Sequence, residues 1–296
     1  MSIPLRVRHL LSSKTLLLSE FILSQLEISR EYFLQLLDLG AVYLNQKRIE
    51  ADQVLHPGDY VRVHVLPKRF PQLKLDPSNY VIAWEKDFVI FNKPQGVPCH
   101  PTVDNRKENL ITYFETFFGH RFYLTHRLDV GTGGVWLLGL TPEFQKQFNS
   151  ILQNRQSEKK YYARVEKTWQ LPTGLLTHYM KPSLRAPREV FAAPFEGSMT
   201  CELEIENAHV RSDMTTDLEI RLITGRTHQI RSQISFMGHP VVGDTMYGSP
   251  HDFKQDLEER WALWARELTF TTDDRTWLFK LPEESLQDGL RSFTFD

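Results

Sequence analysis

The sequence predicts an α+β protein, in which a mixed, mainly antiparallel-sheet domain follows a small α/β module. Strand-like and helix-like segments intermix without the regular alternation of a doubly wound sheet. At 296 residues the chain is long for one compact core. A stretch at 67–77 holds three prolines and several basic residues with no periodicity, and reads as a linker. The expected division is therefore 1–66, a linker at 67–77, and 78–296.

The first module can be followed element by element. A helix is expected around Leu16–Leu26. Ser29 can cap a second helix, with Phe33, Leu34, Leu36 and Leu37 as its apolar face and Gly40 as its end. Ala41–Asn45 alternates as a strand does, and Gln46, Lys47 and Arg48 read as a polar turn. The turn His56-Pro57-Gly58-Asp59 leads into Tyr60–Val65, where Val61, Val63 and Val65 share one face.

The second domain opens with strand-like segments at Tyr80–Trp84 and Phe88–Asn92. A helix is expected between Asn109 and Phe118, then a strand at Arg121–Leu124. Val135–Leu140 is a near-continuous apolar strand. Thr141, Pro142 and Glu143 then supply a cap, a first-turn proline and an N-terminal acid for a helix to about Gln153.

Bulk composition bounds the function without choosing it. Hydrophobic residues are 41% and charged residues 24%, ordinary for a globular chain. No apolar run reaches the roughly 18 residues needed to span a bilayer, so no membrane partner is expected. Cys99 and Cys201 are the only cysteines and lack zinc-type or redox-type spacing, which reads as two free thiols in a reducing cytoplasm. Residues 1–19 carry Arg6, Arg8, Lys14 and several serines with no acid before Glu20, a loose likeness to an organelle transit peptide; the competing reading is an ordinary cytosolic start. Net charge is −2, but residues 153–167 are locally basic and the segment after Pro250 is acidic. Attraction to phosphate depends on the local patch, so motifs must decide.

Two segments carry chemistry-bearing residues. "HRLDVGTGG" at 126–134 lies between two strands, with three glycines in four positions that permit close backbone approach. Such a loop can hold Asp129 rigidly at a cleft; it can equally be a glycine-rich turn in which Asp129 caps the backbone. "TGRTHQIR" at 224–231 suggests a helix capped by Thr227 and ending at Gly238, with His228 and Arg231 facing alike and Ile230 and Ile234 packed inward. "GHPVVGDTMYG" follows at 238–248.

Helix, helix, short strand, basic turn, then "HPGDYVRV" resembles, over about fifty residues, the RNA-binding domain named after the fourth small-subunit ribosomal protein. That resemblance implies RNA contacts from Arg30, Lys47 and Arg48. "HRLDVGTGG", followed about ninety residues later by "TGRTHQIRSQISFMGHPVVGDTMYG", resembles the signature pair of RluA-family pseudouridine synthases. "NKPQGVPCHP" at 92–101, the Phe144/Phe148 helix and "KKYYARV" at 159–165 agree in order and spacing.

The family resemblance implies catalysis by Asp129, with Arg127 displacing the target base and Tyr161 packing against that base and helping the proton-transfer chemistry. It implies that Arg231 pairs with the catalytic carboxylate, and that Arg226 and His228 join the RNA contacts. Gly133 stands where the family often has serine or threonine, which leaves any hydroxyl contact there in doubt. The implied reaction is isomerisation of uridine to pseudouridine, which needs no cofactor and no metal. The implied partner is structured RNA, large-subunit ribosomal RNA ahead of transfer RNA, acted on by a monomer. Two competing readings are a non-catalytic RNA-binding protein, and a metal-dependent hydrolase built on His126, Asp129, His228 and His239. The histidines of the second lack close metal-ligand spacing.

Overall fold

The computed structural model describes residues 6–73, 76–183, 185–253, 259–272 and 275–293. The start of the first module and positions 74–75 of the expected linker thus lie outside the described residues, as does part of the acidic C-terminal segment. Two compact units emerge, one from Met1–Gln72 with His100–Phe118, the other from Leu73–Cys99 with Gly119–Asp296. This differs from the 1–66, 67–77 and 78–296 division, because residues 100–118 belong with the first unit.

In the first unit, strands Val7–Leu11, Tyr60–His64, Val42–Leu44 and Lys47–Arg48 pair antiparallel in that order. Helices Leu18–Gln25 and Arg30–Leu39 bury Leu18, Ile22, Phe33 and Leu36 against Val42, Val61 and Val63. Ser29 accepts a hydrogen bond from Tyr32 N at 3.1 Å, and Gly40 ends the helix at φ 72°. Leu34 is 52% exposed, because it sits about 100° around the helix from Phe33, off the buried stripe. The expected turn at 46–48 is displaced: Asn45 and Gln46 take the left-handed conformation at φ 47° and 68°, which moves Lys47 and Arg48 into the returning strand. Residues 100–118 join through one backbone bond, Arg106 N to the Leu39 carbonyl at 2.8 Å, and through side chains. Tyr43 Oη donates to the Val103 carbonyl at 2.7 Å, and Glu108 accepts from Arg69 Nε at 2.9 Å and Phe70 N at 2.8 Å. Helix Leu110–Phe118 buries Leu110 and Phe114.

The second unit is built on one eleven-stranded sheet among the described residues. Its main path runs Val190–Phe191, Gly174–Met180, Met199–Val210, Thr216–Leu222, Ser157–Val165, Leu263–Thr272, Gly133–Gly139, Phe88–Lys93 and Val81–Trp84. Every pairing is antiparallel except the short parallel contact of Gly133 and Gly134 with Trp264 and Ala265. The expected α+β class with a mainly antiparallel sheet is what the chain adopts.

Thr141 caps helix Pro142–Gln153 by accepting from Phe144 N at 3.1 Å. That helix lays Phe144 and Phe148 on an aromatic core, where Phe88 meets Phe144 at 4.9 Å and Phe148 meets Phe270 at 5.1 Å between ring centroids. The second signature helix runs Gln229–Phe236 and is not capped by Thr227. His228 occupies the cap position at φ 59°, held there by a 3.0 Å contact of its Nδ1 with Tyr247 Oη. The Gln229 side chain instead closes the turn ahead of the helix, accepting from Arg226 N at 2.9 Å. Ile230 and Ile234 are buried as the helical spacing requires.

Candidate active site

Asp129 sits on the loop that enters strand Gly133–Gly139, and that loop is pinned from below. Lys93, at the end of strand Phe88–Lys93, is 1% exposed and donates from Nζ to the carbonyls of Pro94, Val130 and Thr132 at 2.9, 3.0 and 2.9 Å. Burial pulls its ammonium down to about 8, against the opposing pull of Cys99 and Asp129. Leu128 N donates to Cys99 Sγ at 3.4 Å, and burial pushes that thiol up from its ordinary value.

The loop's glycines answer to specific neighbours. A Cβ on Gly131 would lie 2.7 Å from the Trp261 ring, and one on Gly134, at φ 103°, would lie 2.2 Å from the Ala265 carbonyl. At Gly133 a Cβ would meet Trp264 at 3.0 Å and Gln95 at 3.2 Å, so the position that departs from the resembled family's pattern is tightly filled without a hydroxyl.

Arg231 faces this loop from helix Gln229–Phe236, and its side chain is 1% exposed. Nε and Nη2 bind the two oxygens of Asp244 at 2.6 and 2.9 Å, a bidentate pair inside the protein. The remaining Nη1 donates to Asp129 Oδ2 at 3.0 Å. The guanidinium lies over the ring of Trp261 at 3.7 Å and that of Tyr247 at 4.9 Å. Burial opposes the cation, but Asp244 and Asp129 outweigh it and hold Arg231 above its usual range. Trp261 also donates from Nε1 to Thr132 Oγ1 at 3.0 Å, so one indole fixes both the arginine and the aspartate loop.

Asp129 keeps 22% of its side chain exposed, and its Oδ1 has no protein partner among the described residues. It opens on a cavity of about 630 Å³, within the roughly 300–1,000 Å³ of small-ligand pockets. Tyr161, Ile230 and Leu263 are among its apolar lining residues. Tyr161 lies on strand Ser157–Val165 where the pairing with Leu263–Thr272 shifts register between Lys160 and Tyr161. Burial, then the charge of Asp129, raises its phenol pKa, so the ring presents a neutral hydroxyl. His228 Nε2 stands 3.9 Å from Asp129 Oδ2; burial lowers its pKa, against the pull of Asp129.

Of the residues singled out from sequence, Asp129, Arg127, Tyr161, Arg226, His228 and Arg231 all line this one cavity. Arg127 is exposed and donates to Thr227 Oγ1 at 3.1 Å. Arg30 and Lys47 are exposed in the first unit. Arg48 is half-buried and donates to Tyr43 Oη at 2.8 Å and the Thr102 carbonyl at 2.6 Å, so its head is engaged within its own unit.

The four residues of the metal reading are not gathered. His126 Nε2 accepts from Leu137 N at 3.3 Å, while His239 Nδ1 meets the Glu166 carbonyl at 3.0 Å; among the described residues no three metal-binding side chains form a group. Three members of the site were missed. Lys93 and Asp244 lay inside quoted motifs without being given a role of their own, and Trp261 carried no sequence signal.

A comparison with protein families matches residues 87–236, half of the chain, to the family described as RNA pseudouridylate synthase. The chain belongs to that family. The family segment holds Lys93, Asp129, Tyr161 and Arg231, while Asp244 and Trp261 lie beyond it. Among curated relatives, the chain is 33% identical over 221 residues to "RNA pseudouridine synthase 6, chloroplastic" of Oryza sativa subsp. japonica, covering 67% of this chain and 46% of that one. The chain thus spans about half the length of that relative. It is 28% identical over 197 residues to "Dual-specificity RNA pseudouridine synthase RluA" of Escherichia coli, covering 64% of this chain and 86% of the other. Among solved structures, Human RNA Pseudouridylate Synthase Domain Containing 1 superposes with a TM-score of 0.58 at 22% identity, over 71% of this chain and 86% of that one, a likeness of fold.

Proposed function

We propose that this protein converts uridine to pseudouridine in structured RNA, with Asp129 as the essential carboxylate. One observation carries the reading: Arg231, locked by Asp244 and Trp261, aims its last free nitrogen at Asp129 Oδ2 and leaves Oδ1 open to the cavity. A carboxylate so oriented can attack the ribose carbon at the glycosidic bond, or remove the neighbouring sugar proton to give a glycal. Either way the bond from sugar to ring nitrogen breaks, the base turns, and a bond to ring carbon forms. That carbon gives up its proton, the freed ring nitrogen ends protonated, and on the glycal route the sugar proton is returned, so atoms balance without a co-reactant. A fixed guanidinium needs no reorganisation as charge shifts on the carboxylate.

A stacked uridine must first leave the RNA helix, at a cost of a few kcal/mol. Exposed Arg127 at the cavity can occupy the vacated space, and Tyr161 and Ile230 can pack on the extruded base. The RNA target we favour is large-subunit ribosomal RNA rather than transfer RNA, on the strength of the first unit. Its paired helices, hairpin and exposed Arg30 and Lys47 support an RNA-binding module of the small-subunit ribosomal protein type. Arg48 contributes to that hairpin from within. The test is to map pseudouridine across total RNA from cells with and without the protein, and then to treat the unmodified RNA with purified protein. A site lost in the cells and restored in vitro supports the reading; no change in either sinks it.

A further inference from the structure

The cavity that holds Asp129 carries more positive charge than its chemistry on one carboxylate explains. Asp129 is the one acid in its lining among the described residues, and Arg231 already faces it while being balanced by Asp244. Besides Arg127, to which the RNA reading gives the space vacated by the base, three further cations, Arg155, Lys159 and Arg226, line the same cavity. Lys159 and Arg226 make no ion pair among the described residues, and Arg155 reaches Glu202 only at 3.9 Å. Adjacent Lys160, on the other face of the same strand, shows what a structural lysine does here: it binds both oxygens of Glu206 at 2.9 and 3.0 Å.

Lys159 is half-buried, and desolvation without a compensating anion lowers its pKa. Its head group lies against Gly225, where an added Cβ would stand 3.3 Å from Nζ. The "TGR" turn thus leaves room for the ammonium at Gly225. An unpaired, partly desolvated cation destabilises the free protein, and an incoming anion of matching position would relieve that cost.

We propose that Lys159, with Arg226 and Arg155, forms a phosphate subsite that takes a backbone phosphodiester flanking the target uridine. This rests on the RNA reading above and adds to it the part of the substrate that enters beside the base. Lys159 is a positioning residue: it holds the strand and does not touch the reacting sugar. The phosphodiester replaces water on the ammonium, and the ion pair seats the ribose over Asp129.

The test uses the full chain and an unmodified ribosomal or transfer RNA transcript that the wild-type protein converts. Lys159→Met should raise KM roughly tenfold while leaving kcat nearly unchanged, as loss of one charge-assisted contact implies. The slope of log affinity against log salt should shrink by about 0.7–0.9. Lys159→Arg should restore most of both. Replacing one flanking phosphodiester by a neutral methylphosphonate should weaken binding to wild type and leave Lys159→Met indifferent. Thermal melting of Lys159→Met should match or exceed wild type, since an unpaired charge has left a half-buried position.

A fall in kcat at constant KM and salt slope overturns the subsite, as does a methylphosphonate penalty equal in both proteins or a loss of stability on substitution. Absence of wild-type turnover on any transcript is a different outcome, which removes the functional reading and the subsite together.

Discussion

Replacing Arg231 by leucine leaves Asp244, whose side chain is 1% exposed, as a buried carboxylate stripped of its bidentate partner. Breaking a buried pair from one side costs about 3–5 kcal/mol, because the surviving charge has neither water nor counter-ion. Against a stability of roughly 5–15 kcal/mol, that is a large fraction. The pairing with Asp129 that the family resemblance implies leads one to expect that loss of Arg231 impairs chemistry more than folding; the buried pair with Asp244 adds a large cost to folding as well. The double replacement Arg231→Leu/Asp244→Leu removes both charges together, and should recover stability to within about 2 kcal/mol of wild type. Activity should stay lost, because Asp129 no longer has its donor at 3.0 Å. Urea unfolding of the wild type, both single variants and the double variant gives the cycle directly, with pseudouridine formation measured alongside. A single variant costing under about 1 kcal/mol, or a double variant as unstable as the sum of the singles, would refute the buried-pair argument.

Gly131→Ala should drive a Cβ into the Trp261 ring, costing about 1–3 kcal/mol and lowering turnover at least tenfold as the indole leaves Arg231 and Thr132; unchanged unfolding and turnover would contradict this. Burial pushes His126 down to about 3, so the unfolded chain, with a pKa near 6.5, binds a proton that the fold refuses. Its contribution is therefore fully present above about pH 6.5 and is lost as pH falls towards 3, at up to about 1.4 kcal/mol per unit. His126→Gln should flatten that slope in urea unfolding between about pH 6 and 5, and a slope equal to wild type would count against it. Arg30→Glu with Lys47→Glu should weaken affinity for structured RNA severalfold with thermal melting unchanged; equal affinity would remove the first unit from RNA recognition. Charge reversal is preferable to deleting residues 1–70, which would strip helix Leu110–Phe118 of the unit it packs with.

Local rules made much of the fold legible. Ser29, Gly40, Thr141 and Pro142 each stand at the helix end their chemistry specifies, since a cap needs only neighbours in sequence. Legibility failed where a distant contact overrode local preference. His228 displaces Thr227 at the helix start because Tyr247 holds its ring, and the turn expected at 46–48 falls one residue earlier, with Asn45 and Gln46 in left-handed backbone. Residues 100–118 join the first unit through scattered contacts, the side chains of Glu108 and Tyr43 and the backbone bond of Arg106 to Leu39, which no periodicity reports.

The site divided in the same way. Asp129, Tyr161 and Arg231 were legible through the resemblance of their motifs, whereas the loop of Asp129 alone supported a turn equally well. Lys93 was hidden because a lysine satisfied by three carbonyls is a product of the folded loop. Trp261 was hidden because its contacts with Gly131, Thr132 and Arg231 join positions far apart in sequence.

Asp129→Asn tests the central claim with the smallest change of shape. The amide keeps the volume of the carboxylate and its place beside Arg231 but lacks the charge and the nucleophilic or basic oxygen. Pseudouridine formation should fall below detection in single-turnover reactions on RNA that the wild type converts, with RNA affinity within about threefold of wild type. Turnover by Asp129→Asn at a rate near that of wild type would contradict the account.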